Sequence, residues 1–417
     1  MRILYVTADL PWPLTSGYLR HYHFIRALSR RHEVTLLSLR APEHGAEDVA
    51  ALEPYTARIV TEPSSRGRRS FLIKVRDRLR ILAAGGDVAA GRLGDAGARL
   101  AADRPFDVML LSGKRTMPVL DGLPALPFVA DLCDATSSRI RREMRHARLG
   151  RLPSLVLEYL EVRRVERALM HRAEHALFAS ARDRAALVPT GGGGAATGVA
   201  TAPASVVPNG VDLAYWRRTR RGLGRDEIVL TGAMDYPANV DAAIRLVDEV
   251  LPLVQAVVPT ARVSIVGRDP APSVSALADR PGVTVTGFVD DVRPYLERAA
   301  VFAVPLRHGA GIQNKVLEAL AMEVPVVASP LAAEGLRTEA GDRPPIDVAA
   351  EPARMAELIV ARLRQAEAGA KADPALRRYV AAHFDWDRNA DRLEAILRAA
   401  AGRADAEDGA ATPAEAP

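Results

Sequence analysis

VPLRHGAGIQNKVLEALAMEVPVVAS, residues Val304–Ser329, carries three structural signals in a row. The apolar run Val301-Phe302-Ala303-Val304 that leads into it has the continuous hydrophobicity of a buried strand. A glycine turn follows, Gly309-Ala310-Gly311, then a helix expected over 312–322 and a second apolar strand over 324–328. Glycine ahead of a helix lets the backbone come close to a ligand, and the first amide N–H groups of the helix have no partner inside it. Those N–H groups and the positive end of the helix dipole suit a phosphate or diphosphate. Lys315, Glu318, Ala319 and Met322 are spaced i, i+3, i+4, i+7 and share one helix face. A cation thus stands beside the anion site and a carboxylate one turn further in. The first can hold phosphate oxygens, and the second can accept two hydrogen bonds from ribose hydroxyls. On spacing alone, a plain strand–turn–helix with a solvated Lys and Glu fits equally well.

The stretch resembles the donor-binding segment of family 4 retaining glycosyltransferases, which have the GT-B fold. That family usually carries two glutamates here with seven residues between them. Glu318 matches the second, and position 310, where the first would stand, is Ala310. The form GAGIxNKVLEALAM is similar to a bacterial sugar transferase subgroup that keeps the Lys and lacks the first Glu. The resemblance extends to Val206-Val207-Pro208-Asn209-Gly210-Val211-Asp212, to the run from Gly232 through Asn239, and to Glu334-Gly335-Leu336. It covers most of residues 1–400.

Composition agrees with a two-domain enzyme. Two or three domains are expected for 417 residues, and hydrophobic and charged contents of 48% and 26% are ordinary. A single cysteine, Cys133, excludes a disulfide framework and a cysteine zinc site, and it fits a reducing cytoplasm. MRILYVTADL reads as a strand rather than a signal peptide, and no apolar run is long enough to span a bilayer. A cytoplasmic enzyme is expected.

Strands are expected at 3–7, 34–39, 107–112, 128–132 and 176–180, with a helix over 18–29. The βαβ opening gives a parallel, Rossmann-like sheet without the G-x-G-x-x-G fingerprint. The same rhythm restarts with strands at 227–232, 262–267 and 283–288. The expected fold is therefore α/β, two Rossmann-like domains facing across a cleft, with an acceptor-side domain at 1–212 and a donor domain at 213–375. A C-terminal helix over 376–400 crosses back to the first domain, and the Ala/Gly/Asp/Glu/Pro-rich 401–417 is a disordered tail.

Two stretches are rich in arginine. Ser64–Arg80 sets seven cations against Asp77 in an amphipathic pattern that suits an anionic membrane face or an ordinary solvated helix. Residues 139–172 include a helix whose Glu and Arg can pair at i, i+3 and i+4. Neither carries a nucleic-acid motif. Asp131 and Asp134 follow a strand and suit a helix cap or a metal. The residues of the donor motif single out Arg307 and Lys315 as catalytic through the diphosphate leaving group. The resemblance implies donor contacts from Gly232, Gly287, Phe288, Gly309, Gly311, Ile312, Gln313 and Glu318, and acceptor contacts near Gly17 and Arg20. It implies a retaining, hexosyltransferase-type enzyme with a nucleotide-diphosphate sugar as donor substrate, no separate cofactor and no metal. The acceptor is a sugar, a lipid-linked glycan or a small molecule, in polysaccharide, glycolipid or natural-product biosynthesis. The family's Arg and Lys after Gly232 are replaced by Ala233 and, near the Lys position, Asn239, and no histidine follows the strand ending at Ser112. These departures leave a GT-B nucleotide-sugar epimerase and a catalytically silent binding protein as alternatives.

Overall fold

The computed structural model describes all residues except 15–17, 65–85, 146, 148, 189–201, 221, 310 and 411–417; for 403–410 it describes the backbone alone. Two compact units emerge, one made of Met1–Ala179, Asp183–Val207 and Trp386–Pro417, the other of Ser180–Arg182 and Pro208–Asp385.

The first unit is built on seven parallel strands: β1 (Arg2–Thr7), β2 (Glu33–Arg40), β3 (Arg58–Pro63), β4 (Val108–Ser112), β5 (Phe128–Cys133), β6 (His175–Phe178) and β7 (Ala204–Val206), in the order β3-β2-β1-β4-β5-β6-β7. Apolar side chains leave both faces of the central strands: Ile3 and Tyr5 join one core cluster, Leu4 and Val6 the other. This two-sided burial is why these strands read as unbroken apolar runs. The second unit has six parallel strands: β8 (Glu227–Thr231), β9 (Arg262–Val266), β10 (Val283–Val285), β11 (Val301–Val304), β12 (Val326–Ala328) and β13 (Asp347–Val348), ordered β10-β9-β8-β11-β12-β13. In both sheets the order reverses direction beside the first strand, between β1 and β4 and between β8 and β11. Ligands of open α/β sheets bind beyond the carboxyl ends of strands at such reversals.

Three expected bounds differ from the observed ones. β10 has three residues where six were expected: the pairing with β9 ends as Thr286 N donates to Ile265 O at 3.0 Å, and Gly287 (φ 69°) turns the chain away. The helix Pro374–His383 belongs to the second unit, with Leu376, Val380 and Phe384 in its core. The next helix, Trp386–Ala410, belongs to the first unit. There Trp386 stacks on His23 at 4.7 Å, and Leu393 and Leu397 are fully buried. It continues to Ala410, ten residues into the stretch whose composition suggested disorder from Ala401.

The first unit also contains two charge constellations, one buried and one partly buried. Arg20, on the helix Leu19–Leu28, donates to Asp131 Oδ2 at 2.7 Å and Oδ1 at 3.2 Å and to the Val207 carbonyl at 2.7 Å. Both side chains of the pair are almost wholly buried. Lys114 Nζ sits among the carbonyls of Leu132 and Asp134, Asp134 Oδ1 and Thr136 Oγ1, at 2.8–3.1 Å. These contacts occupy Asp131 and Asp134 as partners of cations. Among the described residues no cluster of His, Cys, Asp or Glu is placed to hold a metal ion. Breaking a buried pair strands the remaining charge, so Arg20→Ala should cost about 3–5 kcal/mol of stability. Urea unfolding checks this, and a midpoint indistinguishable from wild type would show that the pair contributes nothing.

Candidate active site

The candidate site lies in the second unit, beyond the carboxyl ends of β8 and β11. The loop after β8 begins at Gly232, whose amide donates to Val266 O at 3.1 Å. The loops after β8 and β9 run in direct contact: a Cβ on Gly267 would lie 1.7 Å from the Gly232 carbonyl oxygen. Asn239, in the first turn of the helix Pro237–Arg245, closes the same loop by donating from Nδ2 to Ala233 O at 2.9 Å. Its Oδ1 faces away from that bond and accepts from Lys315 Nζ.

Lys315 opens the helix Asn314–Ala321, which is shorter at both ends than the expected 312–322. Before it, Gly311 has φ 69°, a left-handed conformation that costs a side-chain-bearing residue about 1 kcal/mol or more and glycine almost nothing. Gln313 closes the turn, its carbonyl accepting from Val316 N at 2.9 Å. Gly309 stands 4.0 Å from Ala238 Cβ and 3.9 Å from Gln313 Nε2, measured from where its own Cβ would be. Asn209, in the Val206–Asp212 segment, donates to Asn314 Oδ1 at 3.1 Å. The structure thus brings Gly232, Gly309, Gly311, Gln313 and Lys315 into one neighbourhood with Asn239.

Lys315 and Glu318 are both half-buried on the helix. Burial pushes the Lys315 ammonium down to about 8, with Glu318 opposing the shift. Burial pushes the Glu318 carboxyl up to about 7, with Lys315 opposing. Burial thus opposes the charged form of both groups, and each group's charge favours the other's. Tyr215 lies within electrostatic reach of Glu318, and Arg293 stacks over its ring at 4.0 Å while holding Asp291 Oδ2 at 2.8 Å.

Other expected residues are placed differently. The guanidinium of Arg307 is committed to Asp241 and to Glu249 Oε1, the latter at 3.3 Å. It therefore ties the loop after β11 to Asp241 on the helix Pro237–Arg245 and to Glu249 beyond it. Phe288 follows β10 with 71% of its surface exposed, unusual for a phenylalanine. Ile312 is half-buried against the core of the unit. Arg20 is sealed in its ion pair in the first unit, and Gly17 lies outside the described residues, as does 65–80 of the basic segment.

Sequence reading did not find Asn239's bridging role, because it depends on a partner 76 residues away. It also passed over His21, which stands at the order reversal of the first sheet. The ring nitrogens of His21 lie 3.1 Å from Tyr5 Oη and 3.1 Å from Ser112 Oγ, and burial pushes the imidazole down to about 4, so it is neutral at physiological pH.

The segment that carries most of this site matches a known family model. Residues 225–365, which contain every element of it after Asn209 and Tyr215, match the family model described as Glycosyl transferases group 1. No curated protein matches the chain. Among solved structures, it is similar to Anabaena Alr3699/HepE in complex with UDP, at TM-score 0.64 and 14% identity over 96% of this chain and 100% of that one. Sucrose-phosphate synthase (tll1590) from Thermosynechococcus elongatus gives TM-score 0.63 and 16% identity over 95% and 98%. TarM gives TM-score 0.65 and 10% identity over 95% and 98%. At these identities the likeness defines the fold: two parallel α/β sheets of the GT-B glycosyltransferase kind.

The raised Glu318 value yields a stability prediction. The folded-state value exceeds the ordinary 4.5, so ionised Glu318 costs stability above about pH 7, and that cost disappears below about pH 4.5. Glu318→Gln should therefore be more stable than wild type at pH 8, by about 1–2 kcal/mol once partial exposure is allowed for. The gain should shrink steadily as pH falls from 7 toward 4.5. Denaturant unfolding at several pH values checks it; a constant difference would mean that the effect is not titration of this carboxyl.

Proposed function

We propose that this chain is a retaining glycosyltransferase that moves a hexosyl group from a nucleoside-diphosphate donor to an acceptor hydroxyl. The observation that carries the reading is the Lys315–Glu318 face at the β8–β11 reversal, inside the segment matched by the glycosyltransferase model. Both charged side chains are held partly out of water with no full counter-charge, which is the condition of a binding site awaiting a polar ligand.

In this reading the diphosphate lies against the turn 309–313. Lys315 and the amides of Gly311–Gln313 meet the charge that grows on the leaving oxygen as the anomeric carbon–oxygen bond breaks. The acceptor oxygen bonds to the same face of the sugar, and its proton passes to the departing diphosphate. No side-chain nucleophile is required. Glu318, as the carboxylate, accepts from the ribose hydroxyls, and the backbone at Gly287 with the exposed Phe288 ring receives the base. Arg307 acts by fixing the loop through Asp241 and Glu249. HepE, of the same fold, has been crystallised with UDP and with UDP-glucose, which supports a uridine nucleotide as the first donor to try. The acceptor belongs to polysaccharide, glycolipid or natural-product synthesis in the cytoplasm, and the basic 64–80 segment gives a route to an anionic membrane face.

A donor panel read by thermal shift identifies the nucleotide, since a ligand that binds only the folded state raises its melting temperature. Glu318→Ala should weaken nucleotide binding by about 1.5–3 kcal/mol, the worth of hydrogen bonds to a charged acceptor. Lys315→Ala should cut turnover about a hundredfold or more, with a smaller loss of donor affinity. Nucleoside diphosphate released without any acceptor would favour an epimerase, and binding without turnover against every acceptor a silent binding protein. If both variants keep wild-type binding and turnover while folded, the donor is held elsewhere and the assignment fails.

A further inference from the structure

The second arginine-rich stretch of the sequence forms an exposed face in the first unit. The helices Thr136–Met144 and Leu152–Arg172 pack on each other, joined through a 3₁₀ turn at Leu149–Arg151. The longer helix buries Leu155, Val165, Glu166, Leu169 and Met170, which fixes its inner face. Its opposite stripe begins apolar. Val156 is 44% exposed, Leu157 48% and Leu160 56%, and Leu149 in the preceding turn is 85% exposed. At 100° per residue, Leu157 and Leu160 fall on the same stripe as Arg164 and Arg167, both exposed one and two turns further on. Arg141 and Arg145, also exposed, lie at the end of the shorter helix. Aliphatic side chains thus project into solvent, with Arg164 and Arg167 continuing their stripe and Arg141 and Arg145 exposed at the end of the neighbouring helix.

Charge in this region is lopsided. The described part of 139–172 has nine arginines against four glutamates. Glu166 is buried and accepts from Ser137 N at 3.2 Å, and Glu143 pairs with Arg139 and Arg151. Glu158 and Glu161 are half-buried; Glu158 lies away from the stripe, whereas Glu161 borders Leu157 and stands three residues before Arg164.

We propose that this face docks on a lipid bilayer with anionic headgroups. Leu149, Val156, Leu157 and Leu160 enter the headgroup–acyl boundary while the flanking arginines engage the phosphates, as interfacial amphipathic helices do. A second copy of the chain fits less well, because a two-fold contact through this face would bring both sets of arginines together. A nucleic acid would leave the exposed aliphatics without a role, and the stripe offers no aromatic ring for a base. The inference is independent of the donor-site reading and concerns a different surface from the 64–80 segment.

The test is flotation of the full chain with vesicles of phosphatidylcholine alone and of phosphatidylcholine and phosphatidylglycerol in equal parts, at low and raised salt. Wild type should float with the anionic vesicles, about tenfold less with the neutral ones, and less at raised salt. Leu157→Glu/Leu160→Glu should lower partitioning about tenfold or more. Both residues are solvent-exposed, so circular dichroism and melting should match wild type. Arg164→Ala/Arg167→Ala should retain partitioning better at raised salt than at low salt, relative to wild type. Absence of flotation by wild type overturns the proposal. So does equal flotation of the double-glutamate variant, which would move the contact to another surface. So does a concentration-dependent dimer, seen by sedimentation without vesicle binding, that the same variant abolishes.

Discussion

The hydrogen bond between Lys315 and Asn239 joins the two loops on which the candidate site depends. One loop follows β8, the other follows β11, and in a parallel sheet these strands meet only because the strand order reverses there. Asn239 can reach the ammonium because its own amide is already spent on Ala233 O, which fixes the direction of its carbonyl. A neutral carbonyl partner leaves the lysine charge uncompensated. Glu318, one turn along the helix, moderates that charge without neutralising it, since burial opposes ionisation of both groups. The free protein therefore bears an electrostatic cost at this point. A ligand that brings phosphate oxygens to one group and hydroxyls to the other relieves it, and the relief appears as binding free energy.

The parallel sheets were legible in the sequence because doubly buried strands are written as unbroken apolar runs. β1, β8 and β11 needed nothing more than Ile3–Val6, Ile228–Leu230 and Val301–Val304. The turn before Lys315 was legible because Gly311 occupies a left-handed backbone, a demand that only glycine meets without strain. Long-range pairing was not legible. Arg307 looked like a free cation beside the glycine turn, yet Asp241 and Glu249, 66 and 58 residues away, claim it. Arg20 looked like a cleft-lining residue, and its partner Asp131 lies 111 residues on. Local pattern reports which face of a helix is apolar, but it is silent on which distant carboxylate a guanidinium will meet.

The end of the chain shows the opposite case, where composition misled. Alanine with scattered Asp, Glu and Gly suggested a disordered tail from Ala401, but alanine is also the strongest helix former. Once Trp386, Leu393 and Leu397 anchor the preceding turns in the core of the first unit, extending the helix adds one hydrogen bond per residue fixed. The same anchoring explains why the helix Pro374–His383 does not leave the second unit. Leu376, Val380 and Phe384 spend its apolar face there, and the connection to the next helix is only Phe384 and Asp385, the latter paired as a bridge with Val211.

The matched ion pairs of the fold and the Lys315–Glu318 face differ in charge placement, and the difference bears on function. In the first unit the buried Arg20 and the partly buried Lys114 meet carboxylates and several carbonyls, so their charges are matched and serve the fold. In the second unit Lys315 and Glu318 are partly buried and only partly matched. A mutation that strands a matched charge destabilises, whereas one that removes an unmatched charge relieves a cost. The two classes should therefore move stability in opposite directions. That opposition separates residues that hold the protein together from residues held ready for a substrate, without reference to any assay of activity.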